Sequence, residues 1–143
     1  MKDLLCEYYK NLVQSIQWLE KSFQRCQGIA PDSEENIEKL ETFAARFSRS
    51  VDILINKFLR SLDLAELESV ERRLDSVIRA EKRGFVENYE ELIELKNLRN
   101  ELAHEYLEEL FLQKIALVEE YSKKLFQIVQ RIDWYMKNSN FCE

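Results

Sequence analysis

From Leu5 to Cys26 the apolar side chains fall at Leu5, Tyr9, Leu12, Ile16, Leu19, Phe23 and Cys26, in alternating steps of four and three. A helix turns once every 3.6 residues, so this spacing lines them up on one stripe. The pattern predicts a first helix of roughly 25 residues that Gly28 ends. Gly28-Ile29-Ala30-Pro31 reads as a break. Asp32 with Glu35 three positions on then has the reciprocal capping pattern that opens a helix. This second helix turns Leu40, Phe43, Phe47, Val51, Leu54 and Phe58 inward and is expected to run to Leu62.

Asp63 with Glu66 repeats the capping pattern and predicts a third, shorter helix through Leu67, Val70, Leu74 and Val77 or Ile78, stopping near Gly84, where glycine tolerates the left-handed conformation. A fourth helix is expected from near Asn88, with Leu92, Leu95, Leu98 and Leu102 on one side. The last, from Glu108 to Asn138, carries Phe111, Ile115, Val118, Leu125, Val129, Ile132 and Met136, a stripe that only Ser122 interrupts. About five helices joined by short loops, with no repeating unit, predict an all-α, antiparallel up-and-down bundle around a four-helix core. One domain spans 1–143, with a frayed tail over 138–143.

Composition agrees. The chain has 143 residues, 45% hydrophobic, with two glycines and one proline, too few turn formers for a sheet fold. Its net charge of −6 argues against a broad basic surface that coats nucleic acid, while leaving room for a small phosphate site. Cys6, Cys26 and Cys142 are odd in number and widely spaced, which reads as free thiols and not as a disulfide framework or zinc site. The longest uncharged run, Asn11 to Leu19, is too short for a membrane span, and the N-terminus has no apolar leader. A cytoplasmic protein is the expectation.

The candidate chemistry lies in Arg99-Asn100-Glu101-Leu102-Ala103-His104-Glu105-Tyr106, which contains the chain's one histidine. Asn100 and His104 are helical neighbours at i and i+4, and Arg99 and Tyr106 line up seven apart, so one wide polar face presents all four groups. By itself a lone histidine is ordinarily a surface or satisfied core residue, and an exposed arginine commonly pairs weakly with an acid such as Glu94 or Glu101. Arg72, Arg79 and Arg83 form a basic stripe that would guide an RNA backbone. The interleaved Glu71, Asp75 and Glu81 give it the look of a solvated mixed-charge face.

The segment from Arg99 to Tyr106 resembles the Arg, polar residue, spacer, His signature of HEPN domains. Its His-x-Tyr ending is similar to the HepT-like branch, which includes nucleotidyltransferase substrate-binding subunits. Helix order and the aromatic-rich segment Phe43 to Asp52 extend the resemblance over nearly the whole chain. It implies a toxin of a toxin–antitoxin pair: an endoribonuclease that cleaves RNA without metal or cofactor and is neutralised by a nucleotidyltransferase-type antitoxin. It also implies a homodimer, since one histidine per chain leaves two-sided acid–base chemistry to a second copy. In these terms Arg99 holds phosphate, Asn100 orients His104 or donates to the same phosphate, His104 moves protons, and Tyr106 binds substrate or takes AMP from the antitoxin. The alternative is a non-catalytic substrate-binding subunit of a small nucleotidyltransferase.

Overall fold

The computed structural model describes residues 2–104 and 108–142. All the regular structure in them is helical: α1 (Lys2–Arg25), α2 (Glu34–Asp52), a π-helical stretch (Ile53–Phe58), α3 (Leu59–Ala65), α4 (Arg73–Lys82), α5 (Glu90–His104), α6 (Glu108–Gln113) and α7 (Ile115–Ser139). Ser15 of α1 meets Ser50 of α2, and Cys26 meets Lys39. At opposite ends of α7, Tyr9 reaches Asp133 and Gln27 reaches Glu119. Helix α1 is therefore antiparallel to both partners, and with α5 they form the expected helical bundle. Every apolar position of the first stripe except Tyr9 and Phe23 is buried, and those two pack against the core from its edge. Phe23 meets Phe43 and Phe126 edge-on, at 6.2 and 5.5 Å between centroids, the favoured geometry for ring quadrupoles.

Helix boundaries correct the reading of the caps. Ser33, in extended conformation, caps α2 by accepting from the Asn36 N–H at 3.1 Å. Asp32 instead accepts from the Asn36 side chain. The helix does not stop at Leu62. It passes through the π-helical stretch, where the Leu59 N–H reaches back five residues to the Leu54 carbonyl, and ends at Ala65. There Glu68 donates to the Asp63 carbonyl and Leu67 to that of Leu64, closing the helix with a left-handed residue. That residue is Leu67, at φ 62° and 94% exposed. Gly84, at φ 85°, closes α4 by the same pair of bonds, from Phe85 to Ala80 and from Gly84 to Glu81.

Asp63 thus opens no helix: it lies inside α3 with no solvent exposure. Burial of a carboxylate demands compensation, and α4 supplies it. Arg79 Nη1 is 3.1 Å from Oδ2, Arg83 Nη1 is 2.7 Å from Oδ1, and the Ser76 hydroxyl donates to Oδ2. The Arg83–Asp63 contact is Coulombic, because those two atoms lack hydrogen-bond alignment. Arg83 also holds Glu66 at 2.8 Å, and Glu66 accepts from the Tyr135 hydroxyl. Burial, then the Glu66 bond, pushes the Tyr135 phenol up. Burial and the Asp133 bond do the same to Tyr9.

A short turn at Lys114 splits the expected last helix into α6 and α7. Ser122 is fully buried and its hydroxyl has no hydrogen-bond partner among the described residues. The expected free thiols are also corrected. Cys6 and Cys142 form a disulfide, leaving Cys26 free and buried. Up to Cys142 the tail is accordingly anchored, with Phe141 packed against the core. None of the described helices is long and apolar enough to cross a membrane.

Candidate functional site

Helix α5 starts with two interlocking caps. The Glu91 carboxylate accepts from the Glu87 and Asn88 N–H groups, and the Asn88 side chain accepts from the Glu90 N–H. These satisfy donors that a helix start otherwise leaves open. Leu92, Leu95 and Leu98 are buried, which fixes the rotation of the helix and leaves Arg99 and Asn100 on its flank, half-buried. His104 is the last residue of α5 and is exposed.

Arg99 is held by an acid from another helix. Its Nη2 lies 2.9 Å from Oδ2 of Asp52, the last residue of α2 before the π-helical stretch. The other Asp52 oxygen accepts from the Asn56 amide at 3.4 Å. Arg99 Nη1 donates to Asn100 Oδ1 at 3.3 Å, which turns the Asn100 amide oxygen to the guanidinium. The expected alternatives for Arg99 are taken elsewhere: Glu101 pairs with Lys114 at 3.0 Å and Glu94 with Lys124 at 3.7 Å.

A guanidinium has five N–H bonds. Two of Arg99's are committed to Asp52 and Asn100, and its Nε is buried without a hydrogen-bond partner among the described residues. With about a third of its side chain accessible, Arg99 retains donors for an anion. His104 makes no hydrogen bond among the described residues and lies one helical turn from Asn100, so its ring is unencumbered. Tyr106, the fourth member of the motif, lies outside the described residues. The site therefore consists of Arg99, Asn100 and His104 on α5 with Asp52 behind the guanidinium.

Asp52 carries no signal in the spacing of the motif, since 47 residues separate it from Arg99. The π-helical stretch that begins at the next residue widens the helix locally, a feature found often at functional sites.

The expected RNA-guiding stripe is not laid out as a track. Arg79 and Arg83 are turned inward to Asp63, with Glu68 3.6 Å from Arg79 and Glu66 beside Arg83. They are consumed by compensating a buried acid, which the alternation of charges along one helix does not reveal. Only Arg72 faces out. It pairs with Asp75 at 3.0 Å and borders a cavity of about 280 Å³ with Arg60, Arg73 and Glu71.

Compared with models of protein families, with curated proteins and with solved structures, the chain matches none.

Proposed function

We propose that this chain is a HEPN-type, HepT-like endoribonuclease that acts as the toxin of a toxin–antitoxin pair. The observation that supports the reading is the grouping of Arg99, Asn100 and His104 at the end of one helix, with the histidine in solvent and the guanidinium fixed from behind by Asp52. RNA cleavage by the ribose 2′-hydroxyl needs a proton acceptor, a proton donor and stabilisation of charge on the phosphate. His104 supplies a proton-transfer group, and the spare Arg99 donors meet phosphate oxygens in the planar fork that suits them. Asp52 and Asn100 keep that fork in one orientation, which limits the ordering required when substrate binds.

Acid and base on opposite sides of the scissile bond require two histidines, so the active form is a homodimer with both α5 ends lining one cleft. A monomer at micromolar concentration by size exclusion with light scattering would count against it. Cleavage of total RNA by the wild type, lost in His104→Ala with the circular dichroism spectrum unchanged, is the expected result. No cleavage by either protein would remove the nuclease reading.

The Asp52–Arg99 ion pair favours a second reading, a substrate-binding subunit of a small nucleotidyltransferase. An acid already seated on the guanidinium tempers its attraction for phosphate, which suits reversible binding more than transition-state stabilisation. In the toxin reading, a nucleotidyltransferase-type antitoxin adds AMP at Tyr106, attaching bulk and negative charge to the motif that contains Arg99. Co-expression with that partner adds the mass of one AMP to the peptide containing Tyr106.

A toxin acting on cellular RNA works in the cytoplasm. Disulfides persist mainly in oxidising compartments, so Cys6 and Cys142 would there be held as thiols until the protein meets an oxidant. Alkylation in intact cells followed by mass spectrometry reads that state directly.

A further inference from the structure

Part of the groove between α1 and α2 gathers cations around an aromatic ring, in a chain of net charge −6; toward the start of α2 the groove continues past Arg46 into a cavity of about 340 Å³ that Glu35 and Glu38 line. A cavity of about 180 Å³ is lined by Ser15, Trp18, Arg46 and Arg49. It shares Ser15, Trp18 and Arg49 with a second, of about 320 Å³, that adds Asn11, Gln14 and Lys57. No acidic residue lines either cavity. Trp18 is 45% exposed and lines both cavities. Lys21 Nζ lies 4.5 Å and the Arg46 guanidinium 5.1 Å from its ring centre, and Lys57 sits 5.6 Å from the ring of Tyr8.

The cations differ in how firmly they are held. Arg46 is built in, donating to the Trp18 carbonyl at 3.2 Å and the Ser22 hydroxyl at 2.8 Å. Arg49 and Lys57 have no carboxylate partner among the described residues. Arg72 and Lys39, by contrast, are each paired with an acid on their own helix or at its start.

We propose that the α1–α2 groove binds single-stranded nucleic acid, with a base stacked on Trp18 in place of the exposed Lys21 ammonium and successive phosphates on Arg46, Arg49 and Lys57. An aromatic platform in a cationic stretch of groove is the combination that recognises a strand by its π-faces and its backbone. Asn11 and Gln14 carry both donors and acceptors for base edges. Length decides between a strand and a lone nucleotide. Arg46 to Lys57 covers about 16 Å at 1.5 Å per residue, more than one phosphate can bridge. Binding in the groove does not rest on the nuclease reading.

Trp134→Phe leaves Trp18 as the only tryptophan and supplies the reporter. Titration of this variant with an eight-nucleotide oligoadenylate at low salt is expected to quench Trp18 saturably. Affinity should fall with salt at a log–log slope of about −2, as for three phosphates on a single strand. Arg49→Glu with Lys57→Glu, two exposed positions with no internal ion pair to lose, should weaken binding of a fluorescein-labelled oligomer at least tenfold by anisotropy. Trp18→Ala should weaken it about tenfold.

Equal affinity for AMP and the oligomer would overturn the strand in favour of a mononucleotide site. Equal competition by polyglutamate of the same charge would overturn it in favour of a non-selective cationic patch. Trp18 quenching that survives in His104→Ala, without cleavage by any protein, would leave this site standing and remove the nuclease. Cleavage that persists while the double charge reversal leaves binding unchanged would remove this site alone.

Discussion

Replacing Asp63 by alanine tests the network that joins α3 to α4. The carboxylate has no solvent exposure and lies 3.1 Å from Arg79 and 2.7 Å from Arg83, whose side chain is only 10% exposed. Removing one member of a buried pair costs about 3–5 kcal/mol, because the remaining charge stays desolvated. Here two features pull the figure to the lower end: Arg83 keeps Glu66 at 2.8 Å, and Arg79 is 21% exposed and keeps Glu68. We therefore expect a loss of about 3 kcal/mol, set against a total of about 5–15 for a domain. In urea denaturation followed by circular dichroism, with a slope of about 2 kcal/mol per molar, the midpoint should fall by about 1.5 M at constant slope. Asp63→Leu combined with Arg79→Met and Arg83→Met should recover at least half of that loss, since apolar replacement of a whole buried network is close to neutral. A midpoint shift below about 0.5 M for the single alanine variant, equivalent to about 1 kcal/mol, would refute the claim that the buried acid holds α4 in place.

Leu67→Gly should stabilise the protein by about 0.5–1 kcal/mol, because a left-handed leucine costs about 1–2 kcal/mol and glycine returns part of that as unfolded-chain entropy; thermal unfolding reads it. Ser122→Ala should be neutral or stabilising by about 1 kcal/mol, since the buried hydroxyl has no partner among the described residues to lose; a clear drop in melting temperature would contradict this. Tyr9 and Tyr135 have raised phenol pKa values through burial and their bonds to Asp133 and Glu66. Their contribution to stability is present below the ordinary phenol pKa and is lost as pH rises through the folded values, so denaturant midpoints should decline above about pH 10. Replacing both by phenylalanine should flatten that decline. Alkylation of the denatured, unreduced protein should label one cysteine, Cys26; in the folded protein burial pushes its thiol up, and disulfide-exchange reagents should react with it slowly at pH 8.

The apolar stripes were legible because burial in a bundle is periodic, and Leu12, Phe47, Leu95 and Ile132 all lie inside. Polar positions were not legible in the same way. Asp63 with Glu66 has the spacing of a cap, yet its environment is decided by Arg79 and Arg83 on the following helix. Ser33 displaced Asp32 as the cap of α2 by one residue, a choice made by local backbone geometry. The motif on α5 could be read from its own spacing, while Asp52 behind Arg99 could not, since the two meet only once α2 and α5 pack. Pairing of Cys6 with Cys142 was hidden for the same reason: they stand 136 positions apart in the sequence, and only the antiparallel return of α7 beside α1 brings them together.

That pairing changes what damage to the backbone means. A protease that cuts once in the exposed 67–73 segment, or once between α1 and α2, separates no fragment, because both pieces remain attached through Cys6 and Cys142. The nicked molecule keeps its effective concentration of helices and needs no bimolecular encounter to reassemble. Under reducing conditions the same cut yields two independent peptides, so one bond at the edge of the bundle governs whether an internal break is survivable.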